Sequence, residues 1–131
     1  IISTAEQQII YFTEQLYNGT AEFKPQDNCN ASVWRKRSRQ DGLIDWRMSA
    51  ESIYNLIRAL VKPYPGAEFI YEENLLQVWS SRVCGEKIPS NIEPGYILAI
   101  EHNDVLVKCA EDSALWILDV GLAEVKVGEY L

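Results

Sequence analysis

Two periods divide this chain. Ile9, Phe12 and Leu16, with Ile10 and Tyr17 beside them, recur at helical spacing, and so do Ile53, Leu56, Ile57 and Leu60 at i, i+3, i+4 and i+7. Beyond Ala67 the apolar residues fall into short runs separated by polar turns, which is the signature of strands. The first helix is expected to open on a capping box, Ser3-Thr4-Ala5-Glu6, and to end at Asn18-Gly19. The second is expected to start at Ser49, with Glu51 complementing its dipole, and to stop before Pro63 and Pro65. Trp46 precedes that cap, where it can pack on the first turn.

The strands are expected at Glu68–Tyr71, Leu75–Arg82, Tyr96–Glu101, Val105–Cys109 and Ala114–Leu118, with a short one at Glu124–Val127. Glu72-Glu73-Asn74, the 84–94 segment, His102-Asn103-Asp104 and Glu111-Asp112-Ser113 carry turn chemistry between them. Five to six short antiparallel strands after a single helix suggest a small OB-like barrel. The fold class is therefore mainly β with two helices, the barrel being preceded by a helix and a long linker. Residues 20–45 are irregular and polar, with Pro25 and Asp41-Gly42, and Ala31–Lys36 is their one extended piece. The first helix has an apolar stripe and no obvious neighbour in sequence to cover it, which hints at a partner outside the chain.

Composition narrows the classes. With 131 residues, 47% of them apolar, and four tryptophans, the chain can build a core, so disorder is excluded. No apolar run approaches the ~18 residues of a membrane span, and no signal-peptide pattern opens at Ile1, so a cytoplasmic location is expected. Cys29, Cys84 and Cys109 are far apart and His102 is the single histidine, which fits free thiols and no metal site. Asn18-Gly19-Thr20 and Asn30-Ala31-Ser32 are read as chance matches to the glycosylation pattern.

The net charge of −7 is uneven: +1 over residues 1–67 and −8 over residues 68–131. The acidic half repels phosphate backbones. Trp79 and Trp116 lie in strands with acidic flanks, so they are read as packing residues rather than base-stacking platforms. The cations gather at Arg35-Lys36-Arg37-Ser38-Arg39, behind Trp34. Guanidinium forks suit phosphate and an indole can stack, so this segment is the best binding candidate. No G-x-S-x-G, P-loop or G-x-G-x-x-G occurs. His102 falls on a turn tip, a poor place to hold a catalytic imidazole, and the acid pairs Glu72-Glu73 and Glu111-Asp112 read as solvated turns.

The segment from Gln26 to Ala67, with D-G-L-I-D-W, S-A-E-S-I-Y-N-L-I-R-A-L and P-Y-P-G-A in order, closely resembles the hinge and second domain of 10-formyltetrahydrofolate-dependent formyltransferases. Val78-Trp79-Ser80-Ser81-Arg82-Val83, Pro94–Leu98 and Val105–Cys109 continue the likeness, the first of these towards the branch that formylates nucleotide-linked amino sugars. The resemblance implies a two-domain parent. Its N-terminal Rossmann-like domain binds the folate and carries an Asn-x-His pair with a later Asp, and its C-terminal domain is an OB-type barrel. No Asn-x-His occurs here, so no catalytic residue is carried over. The implied domains are 1–19, the last helix of the catalytic domain; 20–45, an interdomain linker; and 46–131, a helix plus the OB-like barrel. The implied partners are the chain's own N-terminal domain, a nucleotide-linked amino sugar in the parent, and a second copy through the barrel.

No cofactor is expected on this chain, 10-formyltetrahydrofolate being the parent's. Arg37, Asp41, Asp45 and Trp46 match the family's hinge, and with Arg35 and Arg39 of the basic segment they are the expected substrate-binding or interdomain residues. The family's other branch formylates initiator methionyl-tRNA and holds tRNA with its barrel; a −8 half disfavours that role. Outside the family, a stand-alone OB-type binding module is the competing reading.

Overall fold

The computed structural model describes residues 1–120 and 125–131. The chain forms two compact units, Ile1–Arg35 and Lys36–Leu131.

In the first unit α1 runs from Ile2 to Tyr17. Its C-terminus closes as a Schellman motif: Thr20 N–H donates to Gln15 O, Gly19 N–H to Leu16 O, and Gly19 takes φ +68°. The expected capping box at Ser3 does not form. The N-cap is Ile1, which puts Ser3 inside the first turn, where its hydroxyl has no capping role. Among the residues of α1 none is buried; Ile9, Phe12 and Leu16 are all exposed. Asp27 caps a short 3₁₀ turn, Asn28–Asn30, accepting from Cys29 N–H at 2.9 Å. Residues 31–36 join no strand ladder.

The described residues of the second unit form α2, Ala50–Ala59, and six strands. Ser49 caps α2, its Oγ accepting from Ser52 N–H at 3.2 Å. The helix buries Ala50, Ile53 and Ile57, the face that its 3.6-residue period dictates. β1 (Ala67–Tyr71) and β2 (Asn74–Val78) form an antiparallel hairpin. Glu72 and Glu73 both take positive φ at its turn, the twist that two-residue hairpins require. β3 (Ser81–Val83), β4 (Ile97–Glu101), β5 (Asp104–Lys108) and β6 (Ala114–Ile117) form an antiparallel sheet in the order β3-β6-β5-β4.

The chain adopts the expected mainly-β class with two α-helices, and the described residues form six short antiparallel strands where five to six were expected. Among the described residues the strands divide between a two-stranded and a four-stranded sheet, and no ladder closes them into one barrel. The run expected as one strand, Leu75–Arg82, breaks at Trp79-Ser80, where the chain leaves the hairpin for the larger sheet. Ser80 O there accepts from Leu118 N–H at 3.0 Å. Of the short strand expected at Glu124–Val127, Glu124 lies outside the described residues, and Val125 to Val127 form no ladder.

Alternation distributes the sheet's side chains. Val105 and Val107 of β5, with Leu115 and Ile117 of β6, face the core shared with Ile53, Ile57 and Phe69. Leu106, Ala114 and Trp116 face the other way, against Leu98 and Leu118. Each fully buried Ile, Leu or Phe contributes roughly 1.5–3 kcal/mol. Lys108 is buried as well; its ammonium donates to Cys109 O at 2.6 Å and to Glu111 O, tying down the β5–β6 turn.

Candidate functional site

The segment leading into α2 is pinned to β1 before it reaches the helix. Ile44 N–H donates to Glu68 O at 2.7 Å, beside a parallel bridge between Leu43 and Glu68. The side chain of Glu68 makes a second attachment. Its carboxylate, 3% exposed, receives Arg39 Nε at 3.0 and 2.8 Å and Arg39 Nη2 at 2.5 Å. This fork-on-carboxylate geometry holds the 3₁₀ turn Arg39–Gly42 against the hairpin. The carboxylate raises the Arg39 pKa above its ordinary value, by hydrogen bonding first and by charge second.

The turn forms one wall of a cleft of about 310 Å³. Arg37, Ser38, Arg39 and Asp41 supply its polar rim, and Leu56 of α2, the helix C-cap Leu60 and Pro65 supply an apolar floor. Gly42 lets the wall approach: a Cβ there would stand 3.1 Å from Gly66 O and 3.1 Å from Leu60 Cδ1. Asp41 Oδ2 accepts from Ser38 N–H at 2.7 Å and from the Ser38 hydroxyl at 3.3 Å. Arg37 reaches Asp41 Oδ1 through Nη1 at 3.4 Å.

The structure thus brings Arg37, Arg39 and Asp41 of the expected set to one cleft. Arg35 closes the first unit. Asp45 pairs with Arg47 at 2.8 and 2.7 Å. The Arg47 side chain, then its N–H, hydrogen-bonds Asp45 and lowers its pKa to about 2. Trp46 is 8% exposed and meets the Phe69 ring edge-on, 5.7 Å between centroids, so its indole serves the core. The charge of both rim arginines is matched by acids: Arg39 by Glu68 and Arg37 by Asp41. Glu68 was missed by sequence reasoning, because a strand glutamate 29 residues from its partner carries no local signal. The floor residues Leu56 and Leu60 were read only as helix stripe.

Elsewhere the chemistry is sparse. Among the described residues no three His, Cys, Asp or Glu side chains converge as metal ligands, and no helix is long and apolar enough to cross a membrane. Cys29 is exposed, Cys84 half-buried and Cys109 buried, all as free thiols. Burial pushes the Cys109 thiol up to about 12. His102 takes φ +56° at the β4–β5 turn, where the sequence put it. Trp116 lies under the Arg82 guanidinium at 5.5 Å, and Trp79 packs on Gly66 with Lys62 over its ring at 5.3 Å.

Comparison with known proteins gives a consistent picture. Residues 36–129 match the family model of the formyl transferase C-terminal domain. The bifunctional polymyxin resistance protein ArnA of Wigglesworthia glossinidia brevipalpis is 40% identical over 84 residues, covering 63% of this chain and 12% of that protein. Among solved structures, HypX from Aquifex aeolicus in complex with tetrahydrofolic acid aligns at a TM-score of 0.58 and 19% identity, over 83% of this chain and 18% of that one. A variant of the same HypX aligns at 0.59 and 19%, over 83% and 19%. At this identity the two alignments speak for the fold.

Proposed function

Because the chain belongs to the formyl transferase C-terminal domain family, we propose that it is the non-catalytic second domain of an enzyme that moves a formyl group from 10-formyltetrahydrofolate to the amine of a nucleotide-linked amino sugar. In this reading residues 1–19 are the last helix of the preceding catalytic domain, and the exposed stripe of Ile9, Phe12 and Leu16 lies against that domain. Residues 20–45 connect the two, with 36–45 folded into the second compact unit. The cleft rimmed by Arg37, Arg39 and Asp41 stands on the acceptor side. Arg35, Asp45 and Trp46 belong to the same hinge, Trp46 by anchoring it in the core.

The folate and the proton-handling residues sit in the preceding domain. There the sugar amine attacks the formyl carbon, and tetrahydrofolate leaves. The folate-bound HypX structure supports a folate donor for this class of protein.

The observation that carries the choice of acceptor is charge. Residues 68–131 hold −8, and the two arginines at the cleft are each paired with an acid. Binding tRNA depends on neutralising several phosphates at once, whereas a sugar nucleotide presents two. The test offers the parent protein 10-formyltetrahydrofolate with UDP- and dTDP-linked amino sugars and, separately, initiator methionyl-tRNA. An N-formyl sugar nucleotide supports the reading. Formylation confined to methionyl-tRNA overturns it.

A further inference from the structure

Resting on the reading of this cleft as the acceptor side, we infer that its two arginines have different jobs: Arg37 binds a diphosphate, and Arg39 positions the wall that Arg37 works beside. Three observations separate them.

The first is what each would leave behind. If Arg39 swung towards a ligand it would strip the partner from a carboxylate that is 3% exposed, and an uncompensated buried charge is costly. If Arg37 left Asp41, that carboxylate would keep the Ser38 N–H at 2.7 Å and the Ser38 hydroxyl. The second is bond quality. The Arg37–Asp41 contact is 3.4 Å long, well beyond the ~2.7–2.9 Å of a strong charge-assisted hydrogen bond, while Arg39 Nε reaches Glu68 Oε2 at 2.8 Å. The third is donor geometry. Arg37 reaches Asp41 through Nη1, so its Nε and Nη2 edge is available for a fork on phosphate oxygens; Arg39 has committed its own Nε and Nη2 edge to Glu68.

The neighbouring floor of Leu56, Leu60 and Pro65 offers apolar surface but few hydrogen bonds. It suits the face of a ring attached to the diphosphate, so the ligand class is a diphosphate carrying an organic ring, with the anion on Arg37.

Titrating the full 131-residue chain with inorganic pyrophosphate and with UDP, followed by amide chemical shifts, tests this without any formyl transfer. Shifts at residues 37–42 and in α2 are expected, with UDP tighter than pyrophosphate. Arg37→Gln should weaken both by about tenfold or more, the scale of a lost charged hydrogen bond. The double variant Arg39→Gln, Glu68→Gln removes both charges of the clasp and leaves amides that can still hydrogen-bond, so it should weaken binding by less than Arg37→Gln does, whereas Lys87→Gln, at an exposed cation outside the cleft, should bind within about threefold of the unchanged chain. Unchanged affinity in Arg37→Gln, equal loss in the double variant, or no saturable binding by the unchanged chain overturns the assignment. A correct assignment with a wrong acceptor would show instead as diphosphate binding here and no sugar formylation by the parent.

Discussion

Arg39 and Glu68 form a forked ion pair in which one partner is largely in water and the other is almost wholly out of it: their side chains are 63% and 3% exposed. The same glutamate accepts from Ile44 through its backbone, so one residue of β1 holds the incoming segment at two points.

That asymmetry sets an order for mutational effects. Arg39→Ala orphans a buried carboxylate, whereas Glu68→Gln keeps an oxygen for Arg39 and leaves the guanidinium in solvent. Arg39→Ala should lower the melting temperature of the chain by roughly 5 °C or more, and Glu68→Gln by clearly less. The opposite order in thermal unfolding would show that the pair does not hold the turn.

The two helices should respond differently to truncation of their stripes. Ile57→Ala empties a core site and should cost about 2–5 kcal/mol in denaturant unfolding. Ile9→Ala removes an exposed side chain and should stay within about 0.5 kcal/mol in this chain. In the parent protein, where the proposed catalytic domain covers Ile9, the same change should destabilise measurably. A parent that tolerates it as well as this chain does would remove the interdomain role of α1.

Asp45 gives a pH handle. Its folded pKa of about 2 lies below the ordinary carboxylate value, so the folded state favours the ionised form. The resulting contribution is complete above the unfolded pKa of ~3.9 and is lost as pH falls through about 2. Carboxyl-resolved NMR should place the midpoint near 2, and Arg47→Ala should return it towards ~4. A midpoint near 4 in the unchanged chain would deny the Asp45–Arg47 contact in solution.

The thiols should separate kinetically. Cys109, buried and held up to about 12, should resist an aromatic disulfide reagent at pH 8 until the chain unfolds, while exposed Cys29 reacts at once. Since the raised value favours the protonated thiol in the fold, the Cys109 contribution is full below the unfolded pKa of ~8.5 and is lost as pH climbs towards about 12. Rapid modification of all three thiols in the native chain would contradict the burial of Cys109.

Local signals were legible and distant ones were not. Ser49, the Ile53–Leu60 stripe and the two prolines define α2 nearly to the residue, because capping, periodicity and helix termination are all written within a few positions. The hairpin turns at Glu72-Glu73 and His102-Asn103 were readable for the same reason. Trp79-Ser80 was not: alternation runs through it without glycine or proline, and the break exists because the two flanks pair with different sheets. Ser3 misled because a capping sequence acts only where the first turn begins, and here the turn begins at Ile1. At the cleft, the run of cations was visible in sequence, but the acid that sorts Arg39 from Arg37 lies on a strand far along the chain.

The central claim is that formyl transfer is performed by residues outside this chain. The direct measurement incubates the purified 131 residues with 10-formyltetrahydrofolate and UDP- or dTDP-linked amino sugars, beside the parent protein, and follows tetrahydrofolate release and the N-formyl product. Product from the parent and none above the uncatalysed rate from the chain alone is the predicted result. Turnover by the chain on its own would contradict the account.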